Sequence, residues 1–143
     1  GAEKAGREPP SRSDWRIVRE LWIADTDSEA REGALNGMLA RNYREYLLPL
    51  FNYGPDPLVK GMKQHEDIPD EAVTPEYLVD NTWVVGSPST VTEKLREIYE
   101  SCGGFGTLLM NVVDHSEENE AWEKCLHLLA QEVLPHLEDL TGD

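Results

Sequence analysis

Positive charge is scarce in this chain. Only 13 lysines and arginines face 28 acidic residues, leaving a net charge of -15 over 143 residues. Phosphate backbones and anionic lipid surfaces both require basic groups, so this balance argues against nucleic acid and against a membrane as partners. Cysteine is equally sparse. Cys102 and Cys125 fall inside helical patterns without metal-like spacing, which reads as two reduced, half-buried thiols of a cytoplasmic protein. Long apolar runs are missing too, and none approaches the roughly 20 residues that span a bilayer. A hydrophobic share of 39% and a mean hydropathy of -0.54 fit a soluble chain. No leader peptide is visible, although a chain that begins at Gly1 can have lost its natural front end.

What is present reads as an α/β pattern. Residues 1–13 are rich in Gly, Pro, Arg and Glu with no apolar period, as in a flexible linker, and residues 14–143 form the domain. The run 14–25 is β-branched and aromatic, free of Gly and Pro, and predicts a long strand. Trp15, Ile17, Leu21 and Ile23 share one face while Val18, Trp22 and Ala24 share the other, so both faces are expected to be covered. Thr26-Asp27-Ser28-Glu29 is a capping box whose acids suit the helix dipole. Behind it Ala30, Ala34, Leu35, Met38, Leu39, Tyr43, Tyr46 and Leu47 recur at helical steps, predicting one amphipathic helix that ends near Pro49.

Residues 50–75, punctuated by Gly54, Pro55, Pro57, Gly61 and Pro69, predict an excursion with one helical turn. Thr74 then caps a short helix with Pro75 in its first turn. Trp83 to Gly86 is a short extended run. Ser87 and Pro88 open a helix with the stripe Val91, Leu95, Ile98 and Tyr99, and Gly103 or Gly104 supplies a left-handed stop. Phe105 to Val113 predicts a second long, buried strand, after which Ser116 caps a last helix with the stripe Trp122, Cys125, Leu126, Leu129, Val133 and Leu137.

Candidate sites are few. Asp114 and His115 stand at the carboxyl end of the 105–113 strand, the end that faces the active site in α/β barrels; the plain alternative is a polar loop before a Ser cap. The acids at 25, 27 and 29 echo a calcium loop, but Ala30 and Asn36 stand where such a loop needs Gly and Glu. Gly103-Gly104-Phe105-Gly106 follows a helix and opens a strand, the reverse of a phosphate-binding loop. Gly33 and Gly37 cost a helix roughly 1 kcal/mol each, which close approach to a neighbouring element would offset. Arg16, Arg19 and Glu20 interrupt an apolar strand, either to bind an anion or, the favoured reading, to neutralise one another. Glu132 and His136 could pair across one turn. His65 and His127 have no ligand-like company, and neither a catalytic triad nor a metal-ligand spacing is present.

Several stretches resemble the carboxyl third of the bacterial luciferase-like, flavin-dependent monooxygenases, especially the limonene-monooxygenase-like branch. They are Trp15 to Ala30, Tyr77 to Leu95 around Gly86-Ser87-Pro88, Gly103 to Met110, and Ala121 to Leu137. The resemblance implies a C-terminal fragment of a (β/α)8 TIM barrel, since a whole barrel needs about 250 residues. The two long strands would then be its last two, and residues 50–75 an insertion near the active-site mouth. It implies reduced FMN and O2 as reactants, with deazaflavin F420 as the alternative cofactor, a small organic substrate and a separate flavin reductase. The family's flavin-binding residues lie in earlier strands, so the fragment is expected to be inactive alone and to hold no flavin tightly. It is also expected to form a homo-oligomer or to associate with the missing barrel half. The branch often carries an aspartate after a histidine beyond its last strand, whereas this chain has Asp114 before His115. A non-catalytic α/β interaction module is the other reading.

Overall fold

The computed structural model describes residues 1–54 and 57–140; Pro55, Asp56 and residues 141–143 lie outside the described residues. Three parallel strands form the sheet: β1 (Arg16–Ile23), β2 (Val84–Gly86) and β3 (Thr107–Asn111). Their order is β2-β1-β3, with β1 in the centre. The expected pair of long strands is thus β1 beside a shorter β3, and the extended run before Ser87 adds a third strand. β1 divides its pairing along its length. Arg16 to Glu20 align with Thr107 to Asn111 of β3, and Leu21 to Ile23 align with Val84 to Gly86 of β2.

Alternation along β1 builds two cores. Trp22 faces α1 (Asp27–Asn36), α2 (Met38–Asn42) and α4 (Pro75–Asn81), packing with Ala30, Ala34, Leu39, Tyr43 and Leu78. Leu21 and Ile23 face α5 (Pro88–Ser101) and α6 (Asn119–Leu128), packing with Val91, Leu95, Cys125 and Leu128. Only the carboxyl half of β1 is covered on both sides. Val18 is 52% exposed and Leu109 of β3 44%, so the lower part of the sheet presents an open apolar face where a buried one was expected.

Local signals act as the sequence suggests at most turns. Thr26, Thr74 and Ser87 each accept a hydrogen bond from a backbone N–H three residues on. Gly103 and Gly104, both at positive φ, stop α5. The expected single helix after Thr26, however, is broken. Gly37 is extended rather than helical, and the Glu118 carboxylate occupies the space its Cβ would need, which keeps the position a glycine. Beyond α2 the chain widens into a π turn, Tyr43–Leu47, which lets Pro49 sit in the first turn of α3 (Leu48–Phe51) instead of ending the helix. Tyr46, assigned to the buried stripe, is exposed.

The 50–75 excursion is packed, with 3-10 turns at Leu58–Met62 and Asp70–Ala72 and Val59 fully buried. Ser116 does not cap the last helix. It opens a 3-10 turn ahead of α6, and Leu126 faces solvent.

Candidate functional site

The structure treats the two residues favoured by sequence in opposite ways. Asp114 is exposed, and its Oδ1 accepts the Ser116 backbone N–H at 3.0 Å, a bond that holds its carboxyl below the usual range. His115 is buried. Its ring stacks on Trp122 at 4.1 Å and lies 5.3 Å from Trp22, while Nδ1 sits 2.6 Å from Glu118 Oε1. The same Glu118 oxygen accepts the backbone N–H of Met38. This arrangement clamps the loop after β3 to the start of α2. Neither residue lines the polar cluster described next.

Asp27 has a long-range role that its place in the capping box concealed. Its Oδ1 accepts the Ser87 backbone N–H at 2.7 Å, tying the turn after β1 to the turn after β2. That bond, with help from Thr90 and the Ser87 side chain, lowers its carboxyl below the usual value.

The expected mutual neutralisation of Arg16, Arg19 and Glu20 does not occur. Successive strand residues point to opposite faces, so Arg19 and Glu20 cannot meet. The Arg19 guanidinium donates to the Val18 carbonyl at 2.7 Å, and Arg16 is exposed. Glu20 is instead buried at 8% exposure, and its Oε1 accepts from the Tyr43 hydroxyl and, at 2.9 Å, from Asn111 Nδ2. Asn111 is the last residue of β3 and stands beside Glu20 in the sheet register. Tyr43 is delivered by the π turn. Burial, followed by the Glu20 charge, pushes its phenol far above its ordinary value and keeps it a donor.

Tyr43 and Trp83 meet edge to face at 4.8 Å between ring centroids, and the buried Trp83 Nε1 makes no well-formed hydrogen bond among the described residues. These groups line a cavity of about 330 Å³, with Val18, Phe51 and Met62 as apolar wall. Glu20 stands in mid-strand, beside the last residue of β3 and close to the residue before β2, and gives the cavity a buried acceptor within a largely apolar wall, the make-up of a ligand pocket. Glu20 and Asn111 each interrupt an apolar run, and that was the available signal. Tyr43 carried none, since it reads as part of a helix stripe.

A neighbouring cleft of about 340 Å³ contains Arg19, Lys63 and Lys94. Lys63 pairs with Asp70, Lys94 donates to the Val85 carbonyl, and Asp80 and Glu97 also line the cleft. Cations already engaged among carboxylates do not make a cradle for a phosphate dianion. This cleft therefore does not fit an FMN phosphate. Among the described residues no group of three or more His, Cys, Asp or Glu side chains could hold a metal, and no helix is long and apolar enough to cross a membrane.

Parallel strands with helices on both faces define a segment of an α/β fold. No protein-family model matches the chain. It is 36% identical over 131 residues to 2,5-diketocamphane 1,2-monooxygenase 2 of Pseudomonas putida, covering 90% of this chain and 35% of that protein. Limonene 1,2-monooxygenase of Rhodococcus erythropolis is 29% identical over 128 residues, 87% of this chain and 29% of that one. In structure the chain matches the oxygenating constituent of 3,6-diketocamphane monooxygenase from Pseudomonas putida. That type II Baeyer-Villiger monooxygenase was solved in complex with FMN; the TM-score is 0.80 at 34% identity, over 94% of this chain and 36% of that one. Over about 90% of its length the chain is thus similar to luciferase-like flavin monooxygenases, and it spans about a third of the length of the relatives it matches.

Proposed function

We propose that this chain is the C-terminal portion of an FMN-dependent monooxygenase barrel. In the whole protein, reduced FMN supplied by a separate flavin reductase would activate O2 to oxygenate a small organic substrate. β1 and β3, adjacent and parallel, would be consecutive barrel strands, and the face bearing Val18, Glu20, Leu109 and Asn111 would look into the barrel. The observation that carries the reading is this pairing of a buried carboxylate with an open apolar sheet face, in a segment that overlays a third of an FMN-bound relative. With no phosphate cradle of its own, the segment alone would be inactive, and the remaining strands or further copies of the chain would complete it.

The test is titration of the isolated chain with FMN, followed by quenching of flavin fluorescence, together with reductase-coupled oxygen consumption. Saturation only above about 1 mM, the weak end of specific affinities, and no substrate-dependent oxygen uptake are expected. Tight FMN binding by this chain alone would overturn its assignment as an incomplete, inactive segment.

A further inference from the structure

The carboxylate of Glu20 has half of its bonding unused. Both of its donors, the Tyr43 hydroxyl and the Asn111 amide, reach Oε1. Oε2 accepts no hydrogen bond from any described residue, and Glu20 is one of the residues that line the cavity. Both donors are neutral, and among the described residues Glu20 makes no ion pair. Arg19, the other charged residue on the cavity wall, is turned to the Val18 carbonyl. A buried carboxylate held only by neutral donors still lacks a countercharge, and supplying one there is favourable.

The rest of the wall suits a cation with an apolar body. Tyr43, Phe51 and Trp83 contribute aromatic rings, whose faces attract ammonium groups, and Met62 adds a pliant apolar contact. At about 330 Å³ the cavity lies at the small end of ordinary ligand pockets, roughly 300–1,000 Å³. A surface with net charge -15 also concentrates cations around its openings.

We propose that this cavity binds a small organic ammonium ion, with its N–H groups on the free oxygen of Glu20 and its hydrocarbon body against Phe51, Met62 and Trp83. The inference does not rest on the monooxygenase reading, because it needs no flavin. Its test is calorimetric and tryptophan-fluorescence titration of the flavin-free chain with cyclohexylammonium chloride at neutral pH, beside cyclohexanol, a neutral compound of the same ring.

Saturable binding of the ammonium ion is expected, at least about tenfold tighter than cyclohexanol, with a matching loss in Glu20→Gln. Equal affinity for the alcohol, no saturation by the ammonium ion, or unchanged binding in a folded Glu20→Gln chain would each overturn it. The last outcome would place the ion on surface acids instead. The comparison of the two ligands on the unmodified chain decides the matter even if Glu20→Gln fails to fold.

Discussion

Gly33 is a glycine because Trp22 occupies its side-chain space: a Cβ there would lie 2.4 Å from the indole Nε1. Alanine would gain about 1 kcal/mol of helix propensity but would force the indole out of a packed core, at a cost of about 1–3 kcal/mol. Gly33→Ala is therefore expected to lower the urea midpoint, whereas Gly61→Ala, with nothing within 4 Å, should leave it nearly unchanged. The close approach inferred from the paired glycines is real at Gly33, while Gly37 serves as a break.

Cys125 offers a second test at this scale. Burial raises its thiol from 9.0 to about 11, despite the Ile23 N–H donated to its sulfur at 3.2 Å. At about pH 8 a thiol reagent should modify the half-buried Cys102 and reach Cys125 only in denaturant. The folded state keeps a proton that the unfolded chain releases above pH 9, so this contribution to stability is full below 9.0 and declines as pH rises towards about 11.

Elements differ in how far the sequence exposes them. Caps at Thr26, Thr74 and Ser87 and the glycine stop after α5 were legible because each depends on a few neighbouring residues. The break at Gly37 was not, since the Glu118 carboxylate that packs on Gly37 and accepts the Met38 N–H arrives from 81 residues away. The π turn at Tyr43–Leu47 was equally hidden: its stripe is ordinary, and the accommodation of Pro49 appears only in three dimensions. β3 was misjudged for another reason. An apolar run signals that something covers a strand without saying whether the cover lies in the same chain.

Glu20 was noticed as an anomaly and given the wrong partner, because alternation sets it against Asn111 across the sheet and away from Arg19. Hydrogen exchange should follow the same division. Amides of α1, α5 and the carboxyl half of β1 are expected to exchange slowest, and those of β3 at least tenfold faster, about 1.4 kcal/mol in opening free energy. Equal protection along all three strands would contradict the view that β3 is weakly held.

At the scale of the molecule, the open face and the outer edges of β2 and β3 leave the chain prone to association. Trp15, Val18, Leu109 and Val112 are all exposed, and each side chain covered in a complex gains about 1.5–3 kcal/mol. Sedimentation velocity should show mass rising with concentration, and Leu109→Lys should restore the monomer without lowering the melting temperature. A monomer at every concentration would favour a stand-alone interaction module.

β1 governs the interior from both sides. Because its alternate residues seed different cores, slipping the strand by one position would push the Trp22 indole between α5 and α6 and set the Glu20 carboxylate against Cys125. Each misalignment is therefore rejected twice, once by each set of helices. The central strand proofreads its own placement, and whatever further strands join this sheet inherit a template already aligned.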